Sequence, residues 1–314
     1  MKKHLLWGAA ALLAVLLAPG CKKDSDTTTP GLSGLSVSTA TAFVTVGASV
    51  TFTADASGIY ASDSSTPGAI GIYWQLDSGD KDTLTVDVSK SNPSYTLTNI
   101  AAGNHTVTCA AFCSGYYNAS STASFQAIDP ETALTGLPKQ KTEKIGTEVY
   151  PILQSGGLLW MGKNLYGGGG ISYGDAPVLD SVFGNYYTWE EAGAACPSGW
   201  RLPSAAEFDQ LGTDAGKLMV NALFMENEMW TYWPAVTITN ALSFNAIPTG
   251  YLDKATENNR DQGLGDYACW WTADREGNLG VYRYIFEENP LVQKGQGSIS
   301  SLALNVRCVK EAAE

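Results

Sequence analysis

A chain of 314 residues allows about two domains, and its 44% apolar share is enough to fill sizeable cores. The formal net charge is −12, and setting aside Lys2 and Lys3 of the first twenty residues leaves 17 basic against 31 acidic side chains. No basic stripe is available to neutralise phosphates, so nucleic acid is excluded as a partner. With 33 glycines and only 16% charged residues, turns and strands are favoured over long surface helices.

Residues 1–20 read as a secretory signal: a positive start at Lys2 and Lys3, then a short apolar run over 5–17. That run is too short for a comfortable membrane span. Its end, Leu17-Ala18-Pro19-Gly20-Cys21, resembles the lipobox of bacterial lipoproteins. The resemblance implies cleavage before Cys21, acylation of that residue, and attachment to the outer membrane. The alternative is a plain secreted protein with a chance cysteine. Residues 21–30 are small, polar and unpatterned, and read as a tether. The order of lysines then acids, from Lys22 to Asp26, resembles surface-export signals of Bacteroidetes lipoproteins, which would place the protein on the cell surface.

Residues 31–128 carry seven candidate strands, at 43–46, 50–54, 72–76, 84–88, 95–98, 106–112 and 123–127. Most alternate apolar residues with Ser or Thr, the period of a half-buried strand. Ser57-Gly58, Pro67-Gly68 and Ser78-Gly79 supply turns between them. This pattern predicts an all-β, immunoglobulin-like sandwich with Trp74 in its core. The run Gly103-Asn104-His105-Thr106-Val107-Thr108 is similar to the late strand of bacterial PKD domains. Cys109 and Cys113 would lie on one side of an extended strand about 13 Å apart. They are either two small buried residues or a disulfide across a sharp bend. His105 is the sole histidine after the signal, and on a strand it reads as structural.

Residues 129–146 contain Pro130, Gly136 and Pro138 and read as a linker to a second domain at 147–314. There, Thr188-Trp189-Glu190-Glu191 and Ser204-Ala205-Ala206-Glu207 each read as a capping box opening a helix. Between them Cys196-Pro197-Ser198-Gly199-Trp200-Arg201-Leu202-Pro203 forces a rigid corner. The four glycines 167–170 lack the Lys-Ser/Thr of a phosphate loop and read as a mobile loop.

Five blocks in this second half resemble a known family. They are Leu158-Leu159-Trp160-Met161-Gly162-Lys163-Asn164-Leu165; Ala195-Cys196-Pro197-Ser198-Gly199-Trp200-Arg201-Leu202-Pro203-Ser204 with Glu207 and Phe208; Phe244-Asn245-Ala246-Ile247-Pro248-Thr249-Gly250-Tyr251; Trp270-Trp271-Thr272-Ala273; and Val306-Arg307-Cys308-Val309-Lys310. The family is the Fibrobacter succinogenes major paralogous domain, found on surface lipoproteins and related to C-type-lectin-like folds. The resemblance implies an α+β, C-type-lectin-like domain with two helices and a loop-rich antiparallel sheet. It also implies a disulfide between Cys196 and Cys308, and it supplies no biochemical role. Cys269 departs from the family pattern and reads as a buried free thiol.

Chemistry is sparse. With one histidine outside the second domain, neither a Ser-His-Asp triad nor a multi-histidine metal site can be built there. Nothing points to catalysis, although the many carboxylates leave glycan hydrolysis as a distant third reading. Asp253, Glu257, Asn259, Asp261 and Asp266 form an oxygen-rich run that would suit calcium if the loop were shaped for it; otherwise it is a solvated turn. No other cofactor is indicated. Trp230, Tyr232 and Trp233 concentrate three rings in four positions, either as core on both sides of a strand or as a binding platform. The expected function is non-catalytic recognition of a glycan or surface protein through loops at 230–266. The alternative is a structural part of a cell-surface assembly.

Overall fold

The computed structural model describes residues 29–84, 92–230, 236–256 and 260–312. The signal, most of the tether and Cys21 lie outside these residues. The described chain is mostly strand and divides into two compact units, on either side of Ile128.

The N-terminal unit is a two-sheet β-sandwich. One sheet has the order Phe43–Thr45, Ala119–Ile128, Gly103–Phe112, Gly71–Leu76, Lys81–Leu84, antiparallel except for the first pair. The other holds Ser36–Thr39, Val50–Asp55 and Ser94–Leu97. Along Val50–Asp55, alternate residues are buried, so Val50, Phe52 and Ala54 face a shared core with Ile72, Trp74, Val107 and Phe125. Trp74 fills that core and stacks on Tyr95 with centroids 5.4 Å apart. A strand runs over Lys81–Leu84, and the strand expected at 84–88 lies, beyond Leu84, outside the described residues. A tight turn precedes Lys81–Leu84: the Gly79 N–H donates to the Leu76 carbonyl (2.9 Å), so the return strand starts at once.

His105 serves this unit structurally. Nδ1 contacts Asp77 Oδ2 (2.9 Å), Nε2 contacts the Ala101 carbonyl (3.0 Å), and the ring stacks on Phe125. Cys109 and Cys113 are both free, and burial pushes the Cys109 thiol up to about 12.

The stretch 129–146 is not a free linker. Leu134–Thr135 pairs with Leu223–Phe224, and Thr142–Ile145 pairs with Glu148–Ser155. Its Pro and Gly residues mark turns between short strands. Gly136 shows why: at φ +83° a Cβ would sit 2.5 Å from the Asn221 carbonyl oxygen.

In the C-terminal unit, Thr142–Ile145, Glu148–Ser155, Leu158–Met161 and Val309–Glu311 form one sheet. Tyr267–Glu276, Leu279–Phe286 and Gln293–Ser298 form another, with a register shift between Trp271 and Arg275. Helices are short: Asp180–Phe183, Trp189–Ala195 and Ala205–Asp209. Both expected capping boxes are complete, at Thr188/Glu191 and Ser204/Glu207. Trp189–Ala195 stops after two turns because Pro197 follows and Cys196 is bonded to Cys308, 112 residues on, with Cα atoms 5.8 Å apart. The Arg201–Val309 bridge, with each N–H donating to the other carbonyl at 2.8 Å, fixes the corner to the last strand.

Four of the five sequence blocks meet around Arg307, and the 195–208 block joins them through Cys196–Cys308 and through Phe208 against Phe244 and Trp270. Its buried guanidinium donates from Nε to Asn164 Oδ1 (2.7 Å), from Nη1 to the Met161 and Phe244 carbonyls (3.1 and 2.8 Å), and from Nη2 to the Asn245 carbonyl (3.2 Å). The rings of Phe244 and Trp270 lie against it, 4.5 and 5.9 Å from centroid to Cζ. Trp270 Nε1 also donates to Asn164 Oδ1 (3.0 Å). No carboxylate pairs with Arg307 among the described residues, and burial lowers its pKa to about 9, leaving it cationic at neutral pH. Trp270 and Trp271 point to opposite faces of their strand. Trp270 enters a core with Trp160, Phe208 and Phe244; Trp271 enters one with Tyr187, Leu304 and Cys308. Cys269 is a buried free thiol whose pKa is raised by desolvation.

Candidate functional site

The span 230–266 was expected to carry ligand contacts, and the structure divides it. Trp230 is core: it is 6% exposed, packs with Phe244, Ala246 and Ala268, and donates Nε1–H to the Ala246 carbonyl (3.2 Å). It is not on a strand, because pairing ends at Glu228. The ring platform therefore does not include Trp230; Tyr232 and Trp233 lie outside the described residues.

The oxygen-rich run forms a hairpin. Tyr251–Asp253 pairs with Asp261–Gln262, and Glu257 and Asn259 lie outside the described residues. Asp253 Oδ1 accepts the Ala255 N–H (2.9 Å). Asp261 Oδ1 accepts the Gly174 N–H (3.2 Å) and faces Arg260 Nη2 at 3.7 Å. The Asp266 carbonyl accepts the Glu287 N–H (2.9 Å). Among the described residues no group of three acidic, histidine or cysteine side chains could hold a metal ion, so Asp253, Asp261 and Asp266 are not a calcium cluster. The reason is local: an arginine and a backbone amide already occupy the central carboxylate.

This hairpin makes one side of an open cleft of about 540 Å³, lined by Gly170, Ile171, Ser172, Asp175, Lys254 and Arg260. The opposite wall is the end of the glycine run. That run is pinned at both ends: the Gly167 N–H donates to Asn185 Oδ1 (3.3 Å), and Ile171 exchanges two backbone bonds with Tyr186 (2.8 and 2.9 Å). Gly170, at φ +89°, lies so close to Tyr187 that a Cβ would come within 2.7 Å of the ring. Gly170 thus lets the chain lie against the buried Tyr187, and the next residues face the cleft.

Across the cleft, Arg260 Nη1 pairs with Asp175 Oδ1 (3.0 Å). Lys254 is exposed, with its backbone held to the Ser301 carbonyl (2.8 Å). The lining offers a hydroxyl, a lysine and an arginine–aspartate pair, which suits hydrogen bonding to a polar ligand. It contains neither a histidine nor a cysteine, and its single carboxylate is already paired with arginine. Sequence reasoning anticipated Lys254 and Arg260 through their span and missed Gly170, Ile171, Ser172 and Asp175. Their one sequence signal, a run of glycines, speaks of backbone shape and not of a ligand.

With this geometry in view, comparison with known proteins is informative for the second half of the chain. The family model described as the Fibrobacter succinogenes major domain matches residues 153–310, 158 of the 314 residues. No curated protein matches. Among solved structures, a PKD domain of an M14-like peptidase from a Thermoplasmatales archaeon is similar at 14% identity and a TM-score of 0.26, over 32% of this chain and 96% of that one. A CARDB domain from Pyrococcus furiosus is similar at 9% identity and 0.24, over 34% and 95%. The Yersinia pseudotuberculosis adhesin InvE is similar at 13% identity and 0.26, over 89% and 70%. At these scores the structural likenesses carry no argument about function.

Proposed function

We propose a function from one premise: the chain belongs to the Fibrobacter succinogenes major domain family. The protein is a cell-surface lipoprotein whose C-terminal unit recognises a glycan or protein ligand and does not catalyse a reaction. The observation that carries this reading is the open cleft with a hydrogen-bonding lining and its one carboxylate tied to Arg260. Recognition residues commonly sit on loops held by a rigid scaffold. Here the scaffold is the Arg307 centre and the Cys196–Cys308 corner.

The C-type-lectin-like assignment rests on the same features: short capped helices beside small antiparallel sheets, and a disulfide joining the corner to the chain's end. The lipid anchor rests on the Lys2–Lys3 start, the apolar run and Cys21. Labelled fatty acid is then incorporated by the full chain and lost in Cys21→Ala; equal labelling of both removes the anchor from the account. The recognition reading is tested by screening the full chain against glycan and surface-protein panels, with and without chelator. Binding unaffected by chelator is expected, and a well-folded protein that binds nothing in either condition overturns it.

A further inference from the structure

A second surface of the C-terminal unit shares no residue with the cleft. Cross-strand partners in an antiparallel sheet face the same side. The pairs Tyr267/Phe286, Cys269/Tyr284 and Trp271/Tyr282, continued by Tyr282/Gly295, therefore place these side chains on one face. Its inner end, Trp271 and Cys269, is buried. Its outer end is not: Tyr267, Tyr282, Tyr284 and Phe286 are each only partly buried, as is Tyr251 from the neighbouring hairpin.

These five rings are continuous. Centroids are 4.8 Å apart for Tyr267–Phe286, 6.2 Å for Tyr267–Tyr284, 5.7 Å for Tyr282–Tyr284 and 6.0 Å for Tyr251–Tyr267. Two glycines make room for the rings, which are also packed in part against the core below. A Cβ on Gly295 would lie 2.2 Å from the Tyr282 ring, and one on Gly263 would lie 2.7 Å from the Tyr267 ring. The hydroxyls of Tyr251, Tyr267, Tyr282 and Tyr284 make no hydrogen bond to any described residue. Burial raises the pKa of Tyr251 and Tyr267, with smaller contributions from Asp253 and Asp266 respectively, so these phenols remain donors. Asp253 lies near Tyr251 and Asp266 near Tyr267 at the rim of the rings, and the whole chain carries −12.

The geometry points to a neutral glycan as the occupant of this tyrosine face, its C–H surfaces against the rings and its hydroxyls meeting the four phenols and the rim carboxylates. A ring surface with unpartnered hydroxyls on four of five members suits a ligand that is itself apolar on its faces and hydroxylated at its edges. The carboxylate rim sets the sign of specificity, since it accepts hydrogen bonds from neutral sugars and repels uronate-rich chains. This deepens the recognition reading and rests on it for the glycan class, while using different residues.

The test is retardation of the full chain in native gels containing soluble neutral polysaccharides (mixed-linkage β-glucan, xyloglucan, galactomannan) or anionic ones (polygalacturonate, alginate). The variants are Tyr284→Ala, Tyr284→Phe, Tyr267→Ala and, for the cleft, Lys254→Ala. At least one neutral polymer is expected to retard the wild type and neither anionic polymer to do so. Tyr284→Ala and Tyr267→Ala weaken that retention by about tenfold, and Tyr284→Phe by less. Retention lost in Lys254→Ala but kept in folded tyrosine variants overturns this assignment and leaves the cleft reading standing. Preference for the anionic polymers, or no retention by any neutral polymer, also overturns it. So does a Tyr284→Ala variant that changes self-association in sedimentation without changing glycan retention, which would make the face a protein interface.

Discussion

Replacing Arg307 with methionine should unfold the C-terminal unit well before the N-terminal one. The guanidinium is 1% exposed and donates to one side-chain amide oxygen and three backbone carbonyls, none of them charged. Methionine keeps most of the packing against Phe244 and Trp270 and removes every donor. Asn164 Oδ1 retains Trp270 Nε1–H, so three carbonyls lose their arginine bond. Each such loss costs about 1–3 kcal/mol, or about 3–9 in sum. Relief of the charge's own desolvation returns several kcal/mol. The net is about 3–5 kcal/mol, which for a unit of this size lowers the melting temperature by about 6–20 °C. Arg307→Lys should fall between, because one ammonium cannot span four acceptors set around a plane. Calorimetry on the full chain reads the effect, with the N-terminal sandwich as internal reference. A Met variant melting within about 2 °C of wild type would show that the buried cation costs as much as its bonds contribute, and would remove Arg307 as the centre of the scaffold.

Three further outcomes follow from the same structure. Cys308→Ala opens a loop of 112 residues and should cost on the order of 4–5 kcal/mol in the chain-entropy view, checked by urea unfolding beside a non-reduced peptide map. Burial, with Asp266 and Glu288 adding to it, raises the Glu287 pKa to about 7, so the folded state binds the proton more tightly than the unfolded one. Stability should therefore fall as pH rises from about 4.5 to 7, and Glu287→Gln should flatten that slope in melting curves; an unchanged slope refutes the assignment. Trp230→Ala should cost about 3–5 kcal/mol as a core truncation, read by thermal melting, whereas a loss of binding at unchanged stability would restore it as a surface ring.

Much of the scaffold was legible in the sequence because its signals are local or covalent. The capping boxes at Thr188 and Ser204 need only residues three apart, and both formed. The alternation in Val50–Asp55 gave a half-buried strand whichever strand it paired with. The five blocks were legible as a family pattern, but what joins four of them was not: Asn164, Phe244, Trp270 and Arg307 are up to 143 residues apart and meet only in the folded core. That convergence also explains why the blocks point to no ligand, since they describe what holds the unit together.

The surfaces were harder to read. Clustered rings at Trp230 suggested a platform, yet spacing alone cannot tell which side of a segment is covered, and Trp230 is covered. The tyrosine face had a readable signal in the period-two row Tyr282, Tyr284, Phe286, but that row gains meaning only when Tyr251 and Tyr267 arrive from other strands. Asp261 looked like a metal ligand because its partners, Arg260 and the Gly174 amide, include one from 87 positions away.

The central claim is recognition through the cleft between the glycine run and the 251–262 hairpin. Titration calorimetry of the full chain with the strongest ligand from the binding screen that Tyr284→Ala still binds, beside a Lys254→Ala/Arg260→Ala variant of matched melting temperature, tests it most directly. The account predicts saturable binding by the wild type and a loss of about tenfold or more in the variant. Equal affinity in the two proteins would contradict it.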